Sequence, residues 1–454
     1  MEGLEKLLEQ ISGIIWGNYL IITLMGVGIF FTFVTGFIQI KGFPLAIKEL
    51  INSMKGNKEV KGEGTLSSVQ ALCTALSSCV GNGNIVGVAT AIASGGPGAV
   101  FWMWLAGILG MATKYAEIVI GMIYREKDED GTYVGGPMYY LSKGLGWKKV
   151  SIIFAIFMCL QISGGALIQS NAVADVVDTI FHIKPIFAGV SMGILIAMVV
   201  IGGVKKLGAV AEKLIPIMTI MYFLGGITVI ITNIDQLPYA IMSIIKCAFN
   251  TQSVGGGLLG YTMKEALRYG IARGLYSNEA GEGSAPVLHS AAITDYPARQ
   301  GLYGLLEVFI DTILICSLTS FIVLTSGVMQ EDISPTIYVI TAFGSIHGIF
   351  KYIIGISMIL FAFSSILAQW YFGKVTLTYV FNSKKASYFK YIFIIIVIIG
   401  SLSKSQVVWY LQDVLLGLMI PPNLLGILLL YPDVKRETSK FFQVISKGEI
   451  DVSK

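Results

Sequence analysis

Apolar runs of roughly 20 residues, each long enough to cross a bilayer, recur along the chain between short polar connections. The pattern predicts eleven membrane spans at about 15–40, 66–93, 97–124, 150–180, 186–203, 209–233, 240–263, 300–328, 350–381, 387–403 and 407–431. Two spans are interrupted. In CVGNGNIVGVATAIASGGPG, residues 79–98, Gly81, Asn82, Gly83, Asn84 and Gly87 fall within seven positions. Glycine is a poor helix former and asparagine prefers caps and turns, so this helix is expected to break. SVGGGLLG, residues 253–260, predicts a second break.

Placing the breaks orders the chain. The ten helices from residue 66 split into five over 66–233 and five over 240–431, and an interrupted helix opens each half. Five is odd, so the halves begin on opposite sides and form an inverted repeat, the pattern of a secondary transporter with its site at the midplane. Residues 1–65 add an extra helix and a loop, and 432–454 form a tail. Breaking a helix in lipid strands backbone N–H and C=O groups at a cost of several kcal/mol each unless they bind something. Half-helix N-termini suit a carboxylate, while freed carbonyls and asparagine side chains suit a cation or an ammonium group. Close helix packing through Gly83 and Gly87 is the simpler alternative, yet it leaves Asn82, Asn84 and the matching second break without a reason.

Composition narrows the class. The chain has 454 residues, 54% hydrophobic and 13% charged, the latter about half the share usual in soluble proteins. Basic residues concentrate in alternate connections: five in 40–64, five from Arg125 to Lys149, three in Lys205–Lys213, four in Lys264–Arg299, four in Lys374–Lys390 and five after Pro432. The connections between hold Lys184 and none in 233–239 or 330–346. The positive-inside rule then puts the N-terminus outside and the tail, with the 264–299 connection, in the cytoplasm. The acidic start MEGLEKLLEQISGIIW shows no cleavage site, so no cleaved signal peptide is expected. The net charge of +4 concerns topology and gives no reason to expect nucleic acid. Cys73, Cys79, Cys159, Cys247 and Cys316 lack metal-ligand spacing and read as small hydrophobes. No HExxH metal motif occurs, and EKDEDG (126–131) reads as a solvated loop.

GNGNIVGVATAIASGGPGAVFWMW, GLYSNEAGEGSAP (274–286) and VFIDTILICSLT (308–319) resemble the alanine or glycine:cation symporter family from about residue 60 to 420. A VGxGN element, here Val80, Gly81, Gly83 and Asn84, is similar to one in the more distant neurotransmitter:sodium symporters. The resemblance implies an all-α polytopic protein of the LeuT-type fold, a five-plus-five inverted repeat with two discontinuous helices. It further implies cell-membrane uptake of alanine and glycine with sodium, or with protons in some members, and neither an organic cofactor nor an obligate protein partner. Substrate contacts are expected from Gly81, Asn82, Gly83 and Asn84, and from Ser253, Gly255 and Gly256 in the second break. A sodium ion would be held by Val80, Asn84 and Thr251, and a second by the Phe361 carbonyl with Ser364 and Ser365, at i, i+3 and i+4 of FAFSS.

Four further polar positions stand out. Asp311 sits about eleven residues into the eighth span, where an acidic residue is a functional candidate. Asn278 resembles a sodium-ligating asparagine but falls in the polar stretch before that span. Gln169 lies past the middle of the fourth span, and Gln369 lies one turn beyond Ser365; both are substrate candidates. Lys114 and Glu117, spaced i, i+3, are expected to neutralise each other, and His182, His289 and His347 carry no assigned role. A channel would repeat its filter about an axis, which these two unlike breaks do not do.

Overall fold

Ser67 starts the first interrupted helix with a capping box: its hydroxyl accepts from the Gln70 N–H while the Gln70 side chain accepts from the Ser67 N–H. Such local signals set the elements in this computed structural model, which describes residues 2–55, 62–249, 262–403 and 406–448. In chain order the α-helices of eight residues or more are α1 (Glu2–Ile15), α2 (Asn18–Val34), α3 (Phe43–Met54), α4 (Ser68–Cys79), α5 (Val88–Gly95), α6 (Gly98–Ile123), α7 (Lys148–Phe181), α8 (Pro185–Val200), α9 (Gly203–Thr232) and α10 (Leu237–Ala248). They continue with α11 (Met263–Asn278), α12 (Pro297–Val308), α13 (Ser317–Thr325), α14 (Gly348–Val380), α15 (Phe389–Gly400), α16 (Gln406–Leu429) and α17 (Tyr431–Ser446). EKDEDG begins a two-stranded hairpin, Glu126–Lys127 against Tyr133–Val134.

Seven helices among the described residues are long and apolar enough to cross a membrane, and the pair Ser68–Cys79 and Gly83–Gly95, bent by 50°, makes an eighth. The outer faces of α8, α9 and α15 expose Ile194, Met198, Ile220, Leu224, Ile392 and Ile395, as a lipid-facing surface requires. GVSMG (189–193) spells a nucleophile-elbow motif, but it lies inside the unbroken helix α8 with no strand before it, so it builds no elbow. Inside, α7 packs on α14 and α16, α6 on α11 and α12, and α9 on α4 and α14.

The segment expected as a cytoplasmic connection at 264–299 folds otherwise. A Cβ on Gly270 would meet Ala99, one on Gly274 would meet Met103, one on Gly110 would meet Ala280, and one on Gly121 would meet Pro286. Residues 263–290 therefore run the full length of α6, as a helix broken between Asn278 and the short helix Ala285–His289. The described second break is thus at 279–284. The one expected at 253–260, with Thr251, Ser253, Gly255 and Gly256, lies outside the described residues. Of the expected span 240–263 the structure describes the first part, in which α10 ends at Ala248, and 250–261 lie outside the described residues.

One end of the bundle is tied by backbone pairing: Thr65 and Leu66 donate to the Ala291 carbonyl, and Arg125 donates to the Ser290, Ala292 and Glu63 carbonyls. The opposite end carries the short helix Tyr338–Gly344.

Candidate functional site

Helix α4 stops at Val80, whose ψ of 95° is extended, and the chain resumes as one π-helical stretch, Gly83–Gly87, before α5. A matching π-helix, Phe309–Cys316, interrupts the passage from α12 to α13. π-Bulges put an extra residue into a helix and recur at functional sites. Here the two face each other through Asn84 and Asp311. Asn84 Oδ1 accepts the Gly81 N–H at 2.8 Å, and its Nδ2 donates to Asp311 Oδ1 at 2.5 Å.

Asp311 gathers further groups. Ser277 Oγ donates to its Oδ1 at 3.0 Å and Thr312 Oγ1 to its Oδ2 at 2.8 Å. Asn278, expected in a polar cytoplasmic stretch, is fully buried at the end of α11, and its Nδ2 donates to Thr312 Oγ1 at 3.0 Å. Asn278 is enclosed because α11 is an internal half-helix packed along α6. Asn84, Asn278 and Asp311 are therefore brought together, with Ser277 and Thr312 as additional oxygen donors of the kind a hard monovalent or divalent cation takes.

Ser364 and Ser365 both donate to the Phe361 carbonyl, at 2.8 and 3.0 Å, the local bonding that a helical serine makes by default. Ser365 nevertheless abuts the first break, since a Cβ on Gly81 would lie 2.6 Å from its Oγ. Glycine is what permits that approach. Ser364 turns instead toward the Met218 sulfur, at 3.6 Å.

Next to the break lies a small cavity of about 50 Å³ lined by Gly81, Gly83, Gln169, Gln369, Tyr276 and Gln412, among others. A larger vestibule of about 410 Å³ shares Gly83, Gln169 and Tyr276 with it and reaches exposed residues at Asp175, Thr179, Thr336 and Ile337. Asn82 lines this vestibule, and neither its Oδ1 nor its Nδ2 has a partner among the described residues although both are buried.

Toward the other end the bundle is closed by buried polar bonds. Lys114 does not pair with Glu117. Its ammonium donates to Glu307 Oε1 and to the Asn278 carbonyl, both at 2.5 Å, and Glu307 Oε2 contacts His289 Nε2 at 3.2 Å. Glu117 instead accepts from the N–H groups of Gly281 and Gly283 and from Asn423 Nδ2, at 3.3, 3.1 and 2.6 Å. Glu279 accepts from Ser78 at 3.1 Å and from Ser284 at 2.5 Å. His289, given no role from the sequence, is thus part of a buried ionic cluster. Its spacing of 18 from Glu307 carries no helical signal that could have revealed the contact.

A membrane bundle with a polar pocket at paired helix interruptions, open at one end and bonded shut at the other, has the build of a solute transporter. The chain belongs to the sodium:alanine symporter family, whose sequence model matches residues 1–454. It is 40% identical over 454 residues to YflA, an uncharacterized transporter of Bacillus subtilis (strain 168), covering 97% of this chain and 94% of that protein. It is 37% identical over 453 residues to the sodium/alanine symporter AgcS of Methanococcus maripaludis, covering 98% of each chain. Among solved structures, a Na+-coupled sialic acid symporter in a substrate-bound outward-open state aligns with a TM-score of 0.54 at 13% identity, covering 91% of this chain and 87% of that one. The expected family is therefore confirmed, and the chain is a multi-pass membrane transporter rather than an enzyme.

Proposed function

We propose that this protein takes up small neutral amino acids, alanine and glycine among them, together with sodium by alternating access across the cell membrane. The observation that carries the reading is the Asn84–Asp311 contact: it joins the interrupted helix at 80–87 to the π-helical stretch of 309–316, with Asn82, unpaired among the described residues, in the vestibule beside them. Sodium is the cargo of the Asn84, Asn278 and Asp311 oxygens, with the Val80 backbone alongside. A second sodium ion is taken between the Phe361 carbonyl, Ser364, Ser365 and the backbone of the first break. The substrate carboxylate meets the main chain of Gly81–Gly83, and Gln169 and Gln369 line the rest of the substrate's pocket. Thr251, Ser253, Gly255 and Gly256, tied to the site only through a break at 253–260, lie outside the described residues and are not part of this reading.

The proposed scaffold is the LeuT-type inverted repeat of eleven spans, with the N-terminus outside and the C-terminus in the cytoplasm. The break at 279–284 takes the place of the one at 253–260 as the second discontinuous helix. The vestibule then opens to the outside, and the Glu117, Asn423 and Lys114 bonds close the cytoplasmic side. Alternating access exchanges which side is sealed.

The test is uptake into liposomes containing the purified protein. An inward sodium gradient should concentrate alanine saturably, while leucine is carried far more slowly. Uptake driven by a proton gradient without sodium would overturn the choice of cation, and equal uptake of leucine and alanine would overturn the substrate class. Cysteines introduced at Lys55 and Gln330, in a background without the native five, should react from opposite sides of the membrane; same-side reaction would overturn the orientation.

A further inference from the structure

The small cavity has more hydrogen-bonding capacity than an alanine methyl can use. Gln169, Gln369 and Gln412 each line it, and each has a buried Oε1 with no partner among the described residues. Gln412 is only 4% exposed, and its Nε2 donates to Tyr276 Oη at 3.2 Å, which holds that end of the amide in place. The three converge on one turn of α7. Gly165 and Gln169 are i, i+4 neighbours on its face. A Cβ on Gly165 would lie 2.5 Å from Gln369 Nε2 and 3.4 Å from Gln412 Nε2, and a Cβ on Gly81 would lie 3.2 Å from Gln169 Nε2. Glycine at 165 is therefore what lets amides from α14 and α16 reach the cavity beside the first break.

Native proteins leave few buried polar atoms without partners, and each left unmade is costly. Three such oxygens in one cavity beside a binding site point to a ligand that supplies the missing bonds. We infer that Gln369 and Gln412 form the side-chain end of the site and that they select amino acids whose side chain carries a hydroxyl or a carboxamide over those ending in a methyl. The inference rests on the amino-acid reading above and deepens it. A hydroxyl or a carboxamide both donates and accepts, so it satisfies an amide oxygen in a way a methyl group cannot. The room is appropriate: a water needs about 10–15 Å³ of such cavity space, and about 50 Å³ admits the polar end of a small side chain. A site built to hydrogen-bond its substrate discriminates against an analogue lacking the group far more strongly than an apolar pocket discriminates one methylene.

The experiment measures sodium-driven alanine uptake by the full chain in liposomes, with unlabelled serine, glutamine and alanine as competitors. Serine or glutamine should inhibit at a concentration about tenfold or more below that of alanine. In Gln412→Leu and Gln369→Leu that preference should fall about tenfold toward unity. The unsubstituted protein alone decides the first comparison, so a variant that fails to fold does not shield the inference. If alanine competes as well as or better than both, water fills the cavity and the inference is overturned while the amino-acid reading stands. An unaltered preference in both folded variants would overturn it too. If no neutral amino acid is carried, both readings fall.

Discussion

The two helix breaks solve the same physical problem in opposite ways. At Val80–Gly87 the chain uses neutral residues, and Asn82 is unpaired among the described residues, beside a vestibule. At Glu279–Ser284 it uses charged residues and bonds its backbone and Glu279 within the protein: Glu117 and Asn423 bond the glycine backbone, and Ser78 and Ser284 bond Glu279, while Glu279 and Glu282 also line the small cavity. Backbone freed in a low-dielectric interior must find partners. The first break keeps that capacity for a ligand, and the second spends its glycine backbone groups on the protein itself. A break in a membrane helix is therefore not in itself a binding site; what distinguishes one is the polar atoms left over.

The saturated break should be the one sensitive to partner removal. Glu307→Ala leaves the Lys114 charge buried without its carboxylate, which typically destabilises by about 3–5 kcal/mol. The detergent-solubilised variant should melt well below the parent, and Lys114→Met combined with Glu307→Leu should recover much of the loss. An unchanged melting midpoint in the single variant would show that the ion pair does not hold this region.

A smaller loss is expected for Asn423→Ala. It removes the 2.6 Å bond to Glu117 and the 2.8 Å bond to the Gly281 carbonyl, and a hydrogen bond to a charged group is worth about 1.5–3 kcal/mol. The same melting measurement applies, and no shift would mean the loop is held by something else.

At the first break the expected effects are on sodium rather than on folding. Ser365→Ala should raise the sodium concentration for half-maximal uptake about fivefold, the scale of one neutral hydrogen-bonding group, and Ser364→Ala should raise it less because that hydroxyl faces Met218. Replacing both without altering sodium dependence would remove FAFSS from the cation path.

This contrast also explains what could be read from the chain. The first break is written in residue types that disfavour helix locally, so GNGN was legible. Asp311 was legible because an acid within an apolar run has few explanations. The second break was hidden, since α11 carries Lys264, Glu265, Arg268 and Arg273 and so reads as a loop by hydropathy. Its burial depends on α6 lying alongside, a contact that no local pattern encodes. The Lys114–Glu117 pairing failed for a related reason: i, i+3 spacing makes the contact feasible, but a carboxylate 193 positions away and two glycine N–H groups offered better partners. Ser277, Thr312 and Gln412 were likewise invisible, because a single serine, threonine or glutamine in a helix has no signature until its neighbours are known.

The most direct test of the central claim is a binding measurement on Asn84. Alanine affinity is determined for the purified protein with and without sodium, and sodium affinity with and without alanine. If Asn84 holds the cation beside the substrate, each ligand tightens the other by the same factor in the parent, about tenfold or more, and Asn84→Ala brings that factor close to one while weakening both affinities. A folded Asn84→Ala variant that retains the parent's coupling would contradict the account and reduce the Asn84–Asp311 contact to a structural bond.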